Sequence, residues 1–171
     1  MSRLSTLSPA ALKAMFSPDA GDSLIMLLTL DGPGIGAPIR LADGYTQRLS
    51  ETADEVVYGV VSRSQSFMFL PMQITLPGEE DSAAPRFKIT LHDVTRQLMP
   101  VIRSIPSAPT ATLELVMMST PDVVEASFPG FKLGSVNYNA DSITADLSVE
   151  SWAVEPFPAH TFSPAYFPGL F

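Results

Sequence analysis

The chain has 171 residues, a formal net charge of −8 and no cysteine. Because eighteen acidic residues face ten basic ones and no basic stripe offsets them, a phosphate backbone would be repelled, which argues against nucleic acid as a partner. The lack of cysteine excludes disulfides, thiolate metal sites and a cysteine nucleophile in this chain. The longest apolar run, LIMLL, is too short to span a bilayer and the first residues lack the apolar core of a signal peptide, so we expect no membrane partner.

Size and composition predict one folded domain. A chain of this length can bury roughly two-thirds of its unfolded surface. Apolar residues make up 46% of the sequence and charged residues 16%, compared with about 25% charged residues in an average globular chain. Such a weakly charged surface is typical of a protein that contacts other proteins.

The first predicted element is a short helix. Ser8 can cap it and Pro9 can open it, since the first helical position needs no N–H, and Pro18 ends it. Its apolar residues are spaced i, i+3, i+4 and lie on one face: Leu12, Met15 and Phe16. A helix of about two turns is unstable alone, so this face must pack on the domain's own core or on a partner.

From Ser23 onward the apolar pattern is typical of strands. SLIMLLTL predicts a buried strand, and DGPGIGAP predicts the loop after it. IRLADGYTQRL predicts a hairpin that turns at Asp43-Gly44. EVVYGVVSRSQSFMFLPMQITLP adds two more apolar runs. RFKITLHDV alternates, which predicts a strand with Phe87, Ile89 and Leu91 on its buried face.

The second half of the chain predicts closely spaced strands. TATLELVMMS, VVEASF, FKLGSVNY and SITADLSVESW are separated by the turn sequences TPD, PG and NAD. This pattern predicts a mainly β protein, an antiparallel sandwich or barrel, and TRQLMPVIRSI adds a second short helix. The predicted organisation is an N-terminal helical segment (1–22), a β-domain (23–155) and a C-terminal arm (156–171).

The C-terminal arm, PFPAHTFSPAYFPGLF, combines prolines with aromatic residues. A frayed end of this composition would expose apolar surface, so we expect it to lie in a groove of its own domain or of a neighbour. Proline limits the freedom of the unbound arm, which lowers the entropy lost on docking. The predicted interface residues of the arm are Phe157, Phe162, Tyr166, Phe167 and Phe171.

No catalytic motif is present in the sequence. GxSxG, HExxH and GxxxxGKS patterns are absent, and the two histidines, His92 and His160, lie far apart in the chain. Asp141, Asp146 and Glu150 are close in sequence, but a glycosidase needs a defined separation between two carboxyl groups, which the sequence does not give. We therefore predict no catalytic, cofactor-binding or metal-binding residue.

Two stretches resemble a known family: FLPMQITLPGEEDSAAPRFKITLHDVTRQLMPVIRSI, and the run from ATLELVMMSTPDVVEASF to the final FPGLF. The family has unknown function, occurs among the tail genes of long-tailed phages and prophages, and is distantly similar to the N-terminal domain of the lambda-like minor tail protein L. The turn at His92-Asp93-Val94 and the FPG motif at Phe167-Pro168-Gly169 are its features here. The resemblance covers residues 56–171.

This resemblance implies a structural protein of the virion, made in the host cytoplasm and placed at the tail tip, or baseplate hub. It implies a homo-oligomeric ring, with a trimer favoured over a hexamer, whose neighbours are distal tail, hub or central fibre, and tape-measure proteins. The lambda-like relatives continue into a cysteine-rich segment associated with an iron–sulfur cluster, which a chain without cysteine cannot hold.

Two other functions stay open from the sequence. A cell-wall-degrading hydrolase would show two close carboxylates or a histidine in a pocket. A carbohydrate- or receptor-binding β-module would expose an aromatic platform, but Trp152, the only tryptophan, ends an apolar strand pattern, which favours burial.

Overall fold

The computed structural model describes residues 7–17, 21–53, 55–75, 86–92, 107–139, 142–149 and 169, and within them it is mainly β. Its elements are α1 (Pro9–Phe16), β1 (Leu24–Asp31), β2 (Ile39–Ala42), β3 (Gln47–Glu51), β4 (Val56–Ser62), β5 (Gln65–Phe69), β6 (Met72–Thr75), β7 (Arg86–Leu91), β8 (Thr110–Met117), β9 (Val124–Tyr138) and β10 (Ile143–Ser148).

Helix α1 begins where the sequence predicts. The Ser8 hydroxyl accepts a hydrogen bond from the Ala11 N–H at 3.1 Å, and Pro9 occupies the first turn. The helix ends at Phe16, and the Ser17 N–H donates to the Lys13 carbonyl. The second predicted helix, in TRQLMPVIRSI, lies outside the described residues.

The ten strands form one mixed sheet in the order β3-β4-β5-β2-β1-β8-β9-β10-β7-β6. The pair β2–β5 is parallel, with Leu41 opposite Met68 and Ala42 opposite Phe69, and every other recorded pair is antiparallel. The prediction of an entirely antiparallel sheet is therefore wrong at this pair. The parallel pairing arises because β5, the second strand of hairpin β4–β5, lies beside β2 and runs in the same direction.

The prediction of a hairpin at Asp43-Gly44 is also wrong, because β2 does not pair with β3. The Asp43 carboxylate accepts the Met26 N–H at 2.7 Å, and the Asp43 N–H donates to the Met26 carbonyl at 3.2 Å. Gly44 lies against Ile25, where a Cβ would come within 3.0 Å of the isoleucine side chain. These contacts tie the turn to β1, so the chain leaves β2 and forms β3, which pairs with β4.

A third correction concerns Pro129-Gly130, which the sequence predicts as a turn between two strands. The structure has one continuous strand, β9, with a bulge at this point. Ala111 lies opposite Phe131 and Leu113 opposite Phe128, so β9 holds one extra residue. Proline lacks the ladder N–H and Gly130 has φ 78°, a conformation that suits glycine, so the two residues bend the strand without ending it.

Two extended segments each connect different parts of the sheet. The first part of β9 pairs with β8, and the part from Lys132 onward pairs with β10. Similarly, β5 pairs with β2 and β4, while β6 pairs with β7. Only Leu70 and Pro71 separate β5 from β6. The Leu70 N–H donates to Ala42 of β2, and the Pro71 carbonyl accepts from His92, which follows β7.

Buried apolar side chains form two clusters on opposite faces of β1. The larger cluster contains Leu28, Leu30, Leu41, Leu70, Phe87, Ile89, Leu91, Ala111, Leu113, Phe131, Leu133, Ile143, Ala145 and Leu147. The smaller cluster contains Ile25, Leu27, Ala42, Val60, Phe67 and Val116. The predicted buried face of β7 is confirmed, since its three apolar residues lie in the larger cluster.

The hairpin β4–β5 is fixed over the smaller cluster by polar contacts at its tip. Arg63 and Ser64 form the turn with φ 51° and 63°. The buried Ser62 hydroxyl donates to the Pro121 carbonyl at 2.7 Å, and the Arg63 N–H donates to Asp122 at 2.5 Å. The Arg63 guanidinium donates to Glu114 in β8. These bonds stabilise positive φ angles at two residues that rarely adopt them.

Candidate interface

Helix α1 carries three of the predicted interface residues. Ala11 is its buried residue, whereas Leu12 is half-buried. Met15 is 45% exposed and Phe16 is 71% exposed. The helix therefore packs on the domain through a small side chain, and its two largest apolar side chains face outward.

Hydrogen bonds attach the amino end of the helix to the start of β9, and Asp22, which precedes β1, to Ser119 between β8 and β9. The Ser8 N–H and hydroxyl donate to the two carboxylate oxygens of Glu125, at 3.0 and 2.9 Å. The Asp22 carboxylate accepts the Ser119 N–H at 3.2 Å and the Ser119 hydroxyl at 2.5 Å. The Ser119 hydroxyl lowers the pKa of Asp22 below its ordinary value. Two hydrogen bonds thus attach the amino end of the helix to β9, and two more attach Asp22 to Ser119.

The same segment exposes two more apolar residues. Met118 is 41% exposed and Val123 is 56% exposed, and both lie between Ser119 and Glu125 or directly beside them in the chain. We call Met15, Phe16, Met118 and Val123 the helix surface. Isolated exposed apolar residues are normal, but four large ones on mutually anchored elements favour a contact surface.

A second exposed apolar region lies at the base of hairpin β4–β5. Tyr45 is 50% exposed and Tyr58 is 42% exposed, with ring centroids 5.4 Å apart and planes tilted by 53°. Tyr45 also meets Phe69 edge to face at 5.1 Å. Val56, which is 40% exposed, shares a strand face with Tyr58. We call Val56, Tyr58 and Tyr45 the aromatic strip.

The aromatic strip continues from the smaller core cluster. Tyr58 and Val60 lie on the same face of β4, and Val60 pairs with Phe67 inside that cluster. The strip is therefore the solvent-exposed end of an otherwise buried apolar surface. Sequence analysis missed it, because the alternation in VVYGVV groups Tyr58 with Val60 but does not show that the buried cluster ends at Val60.

The interface residues predicted in the C-terminal arm lie outside the described residues, namely Phe157, Phe162, Tyr166, Phe167 and Phe171. The same holds for four residues weighed for catalysis or sugar binding: Asp141, Glu150, Trp152 and His160. Asp146 is exposed and accepts a hydrogen bond from Ser135 at 3.2 Å. His92 is exposed, and its backbone N–H donates to the Pro71 carbonyl.

A small apolar pocket of about 20 Å³ lies at the larger core cluster between β1, β7, β9 and β10. Its volume is close to that of one water molecule and its lining is entirely apolar, so it is a packing void. In the described ranges, no group of three or more His, Cys, Asp or Glu side chains is placed to hold a metal ion. No helix in the described part of the chain is long and apolar enough to cross a bilayer.

Comparison with models of known protein families and with curated protein sequences finds no match to this chain.

Proposed function

We propose that this chain is a structural, non-enzymatic subunit of the tail tip of a long-tailed bacteriophage, which forms a ring between the end of the tail tube and the central hub or fibre proteins. The tail location rests on the family resemblance of residues 56–171. The structural role rests on one observation, the outward-facing Met15 and Phe16 on a helix whose amino end is attached to β9.

An exposed phenylalanine on an anchored element contributes free energy of apolar burial only when a partner covers it. Burying such a side chain stabilises a contact by roughly 1.5 to 3 kcal/mol. Because Ser8 already attaches the amino end of the helix to Glu125, less conformational entropy is lost when the helix surface docks. Phenylalanine and methionine are enriched at protein interfaces, whereas the chain as a whole is poor in charge.

A closed ring covers the exposed apolar side chains of every subunit without open polymerisation. Identical subunits that contact one another through two different surfaces form either a closed ring or an open filament, and closure limits growth. We favour a trimer, with a hexamer as the alternative, because the resembled family is expected near a central fibre. Distal tail and tape-measure proteins are then the other neighbours.

We also infer that the sheet closes into a barrel. Backbone groups of successive residues in an extended chain point to opposite edges, and Leu70 bonds to Ala42 beside β1 whereas Pro71 bonds to His92 beyond β7. The strand formed by β5 and β6 therefore has β2 on one edge and β7 on the other. The order β2-β1-β8-β9-β10-β7 completes the circuit. An experimental structure with Pro71 and His92 apart would contradict closure.

Cryo-electron microscopy of intact virions tests the proposed function. We expect density for this fold at the tail tip, in several symmetry-related copies around the tube axis. Finding the chain elsewhere, or as a single isolated copy, would overturn the proposal.

Carbohydrate binding is the second candidate, because Tyr45 and Tyr58 are both exposed. Their 53° tilt presents two different ring planes and no flat platform, which makes this candidate the weaker one. Calorimetric titration with cell-wall oligosaccharides separates the two, since a saturable signal lost in Tyr58→Ala supports sugar binding.

A further inference from the structure

We propose that β3 of one copy pairs antiparallel with β3 of a second copy across a two-fold axis, so that Arg48 of each copy lies opposite Glu51 of the other. This inference goes beyond the proposed function and does not rest on it. A two-fold contact joins copies in pairs, so it is separate from the contacts that close a ring.

Strand β3 lies at one end of the sheet order, beside β4. The circuit β2-β1-β8-β9-β10-β7 does not include it, so in the part of the chain that the structure describes one edge of β3 faces away from the sheet. Four of its five residues are exposed and the middle one is half-buried. This edge is therefore accessible to a further strand, which is the geometry of β-strand addition.

The hydrogen bonds between β3 and β4 show which residues of β4 face β3. The Gly59 carbonyl accepts the Thr46 N–H at 2.9 Å, and the Glu55 carbonyl accepts the Thr52 N–H at 2.8 Å. Because successive residues of an extended strand direct their backbone groups to opposite edges, residues 55, 57 and 59 face β3. The residues between them, 56 and 58, direct their backbone groups away from β3.

Arg48 and Glu51 are the residues of β3 that direct their backbone groups to the outer edge. Arg48 lies opposite Tyr58 and Glu51 lies opposite Val56, and neither residue of β4 turns its backbone groups toward β3. These are therefore the pairs that exchange no ladder hydrogen bonds. A bulge before Ser50 places the two residues three apart in the sequence. The outer edge thus offers two N–H and two carbonyl groups to a further strand.

The side chains of Arg48 and Glu51 select a second copy of β3 as that strand. They form an ion pair with each other on one face of the sheet and are 51% and 59% exposed. Two identical strands related by a two-fold axis have the same spacing between their outward residues, so each Arg48 meets a Glu51 and the four charges alternate in sign. Opposite charges directly across two strands stabilise the pairing, whereas like charges oppose it.

Other registers and other edge designs lack this complementarity. An axis through Arg48 or through Glu51 would place that residue opposite its own copy, which like-charge repulsion disfavours. Sheet edges that are protected from association commonly carry charges, and an edge with charges of one sign repels its own copy. The edge of β3 carries one charge of each sign, three residues apart, and so complements itself.

Charge reversal at the two positions tests the pairing by sedimentation velocity of the full chain. The salt concentration is about 0.15 M, which screens the net charge of −8 beyond about 8 Å. Arg48→Glu gives an edge with two acids, and Glu51→Arg gives an edge with two bases. Each variant alone should self-associate about ten-fold more weakly than wild type. Mixed, the two should form a pair of different chains with about the wild-type affinity, because an acidic edge then faces a basic one.

The matched control carries both reversals in one chain, Arg48→Glu with Glu51→Arg. Exchange of the two charges leaves the edge self-complementary, so this chain should pair like wild type, whereas association through the helix surface would be equal in all of these chains. Thermal unfolding confirms that each variant folds. A wild-type chain that stays monomeric at about 1 mM, single variants that associate as strongly as wild type, or a mixture that associates no better than either variant would each overturn the inference.

Amide hydrogen exchange of the wild-type chain tests the backbone pairing without a substitution. The Arg48 and Glu51 N–H groups donate to the second copy in the proposed pair, so their exchange should slow by about ten-fold or more as the protein associates. The Thr52 N–H is the internal control, because it donates to Glu55 within one chain and should be protected at every protein concentration. Exchange at Arg48 and Glu51 that stays fast in the associated protein would refute the pairing of β3.

Discussion

Arg63, at the tip of hairpin β4–β5, donates hydrogen bonds from two guanidinium nitrogens to the two carboxylate oxygens of Glu114 in β8. The two strands are separated by β2 and β1 in the sheet, so this pair joins elements that the backbone ladder does not. The hydrogen bonds to Glu114 raise the pKa of Arg63 above its already high ordinary value. The pair therefore holds the hairpin over the smaller core cluster.

Arg63→Ala should lower the free energy of unfolding by roughly 1 kcal/mol, because a two-pronged contact with a mostly buried carboxylate exceeds a typical surface pair even after screening by solvent. Urea unfolding measures the change. The control is Arg48→Ala, which removes the exposed pair Arg48–Glu51 and should cost under about 0.5 kcal/mol. Equal losses in the two variants would contradict a special role for Arg63.

Gly59→Ala should destabilise the fold by about 2 to 3 kcal/mol, because a Cβ at this position would overlap the Phe67 carbonyl and press on Leu49. The backbones of β4 and β5 would have to separate. Gly36→Ala is the matched control, since a Cβ there meets no atom within 4 Å. Thermal unfolding of both variants decides, and a Gly59→Ala protein as stable as wild type refutes the close approach.

Asp22 and Asp43 should affect the acid stability of the protein in opposite directions. The folded-state pKa of Asp22 is lowered by the Ser119 hydroxyl, so its stabilising contribution is complete above the ordinary value of 3.8 and is lost as the pH falls through the lower folded value. Burial raises the folded-state pKa of Asp43, so stability is lost there as the pH rises from 3.8 through the higher folded value.

Asn substitutions test both signs by unfolding measurements at pH 7 and pH 2.5. Asp22→Asn should be less stable than wild type at pH 7, and the gap should narrow in acid. Asp43→Asn keeps an oxygen for the Met26 N–H, so relative to wild type it should gain stability between pH 2.5 and pH 7. A gap of constant size for either variant would argue against the corresponding pKa direction.

Phe16→Ala should leave the free energy of unfolding within about 0.5 kcal/mol of wild type, because the side chain is mostly exposed. It should nevertheless weaken self-association or incorporation into tails, since the helix surface loses its largest side chain. Sedimentation velocity and tail incorporation measure this effect. Lys13→Ala, on the same helix, should assemble normally, and a Phe16→Ala protein that also assembles normally removes the helix surface from the interface.

The elements that sequence analysis predicted correctly are those that short-range patterns specify. Ser8 and Pro9 mark the start of α1 by cap chemistry alone, and the alternation of Phe87, Ile89 and Leu91 assigns the faces of β7. The errors arise where distant residues decide the pairing. Asp43 bonds to Met26 and so prevents a local hairpin, an outcome that no pattern near Asp43-Gly44 indicates.

The candidate site was predictable only in part, because exposure depends on what covers a residue. Leu12, Met15 and Phe16 form an apolar stripe by spacing, but the structure packs the helix through Ala11, and Ser8 attaches its amino end to Glu125. Tyr58 is exposed because the smaller core cluster buries Val60, two residues further along β4, and does not extend to Tyr58. Both outcomes are set by contacts made over long sequence separations.

The pairing of β1 with β8 delays completion of the sheet during protein synthesis. Leu28 lies opposite Leu113, so the apolar strand LIMLLTL is made long before the strand that covers one of its edges. Until β8 leaves the ribosome, β1 has only the short β2 beside it. Chains dominated by such distant pairings fold slowly and expose apolar strands while they wait. We therefore expect the nascent protein to depend on chaperones, and a ribosome-bound chain ending before Thr110 to be cut readily by protease.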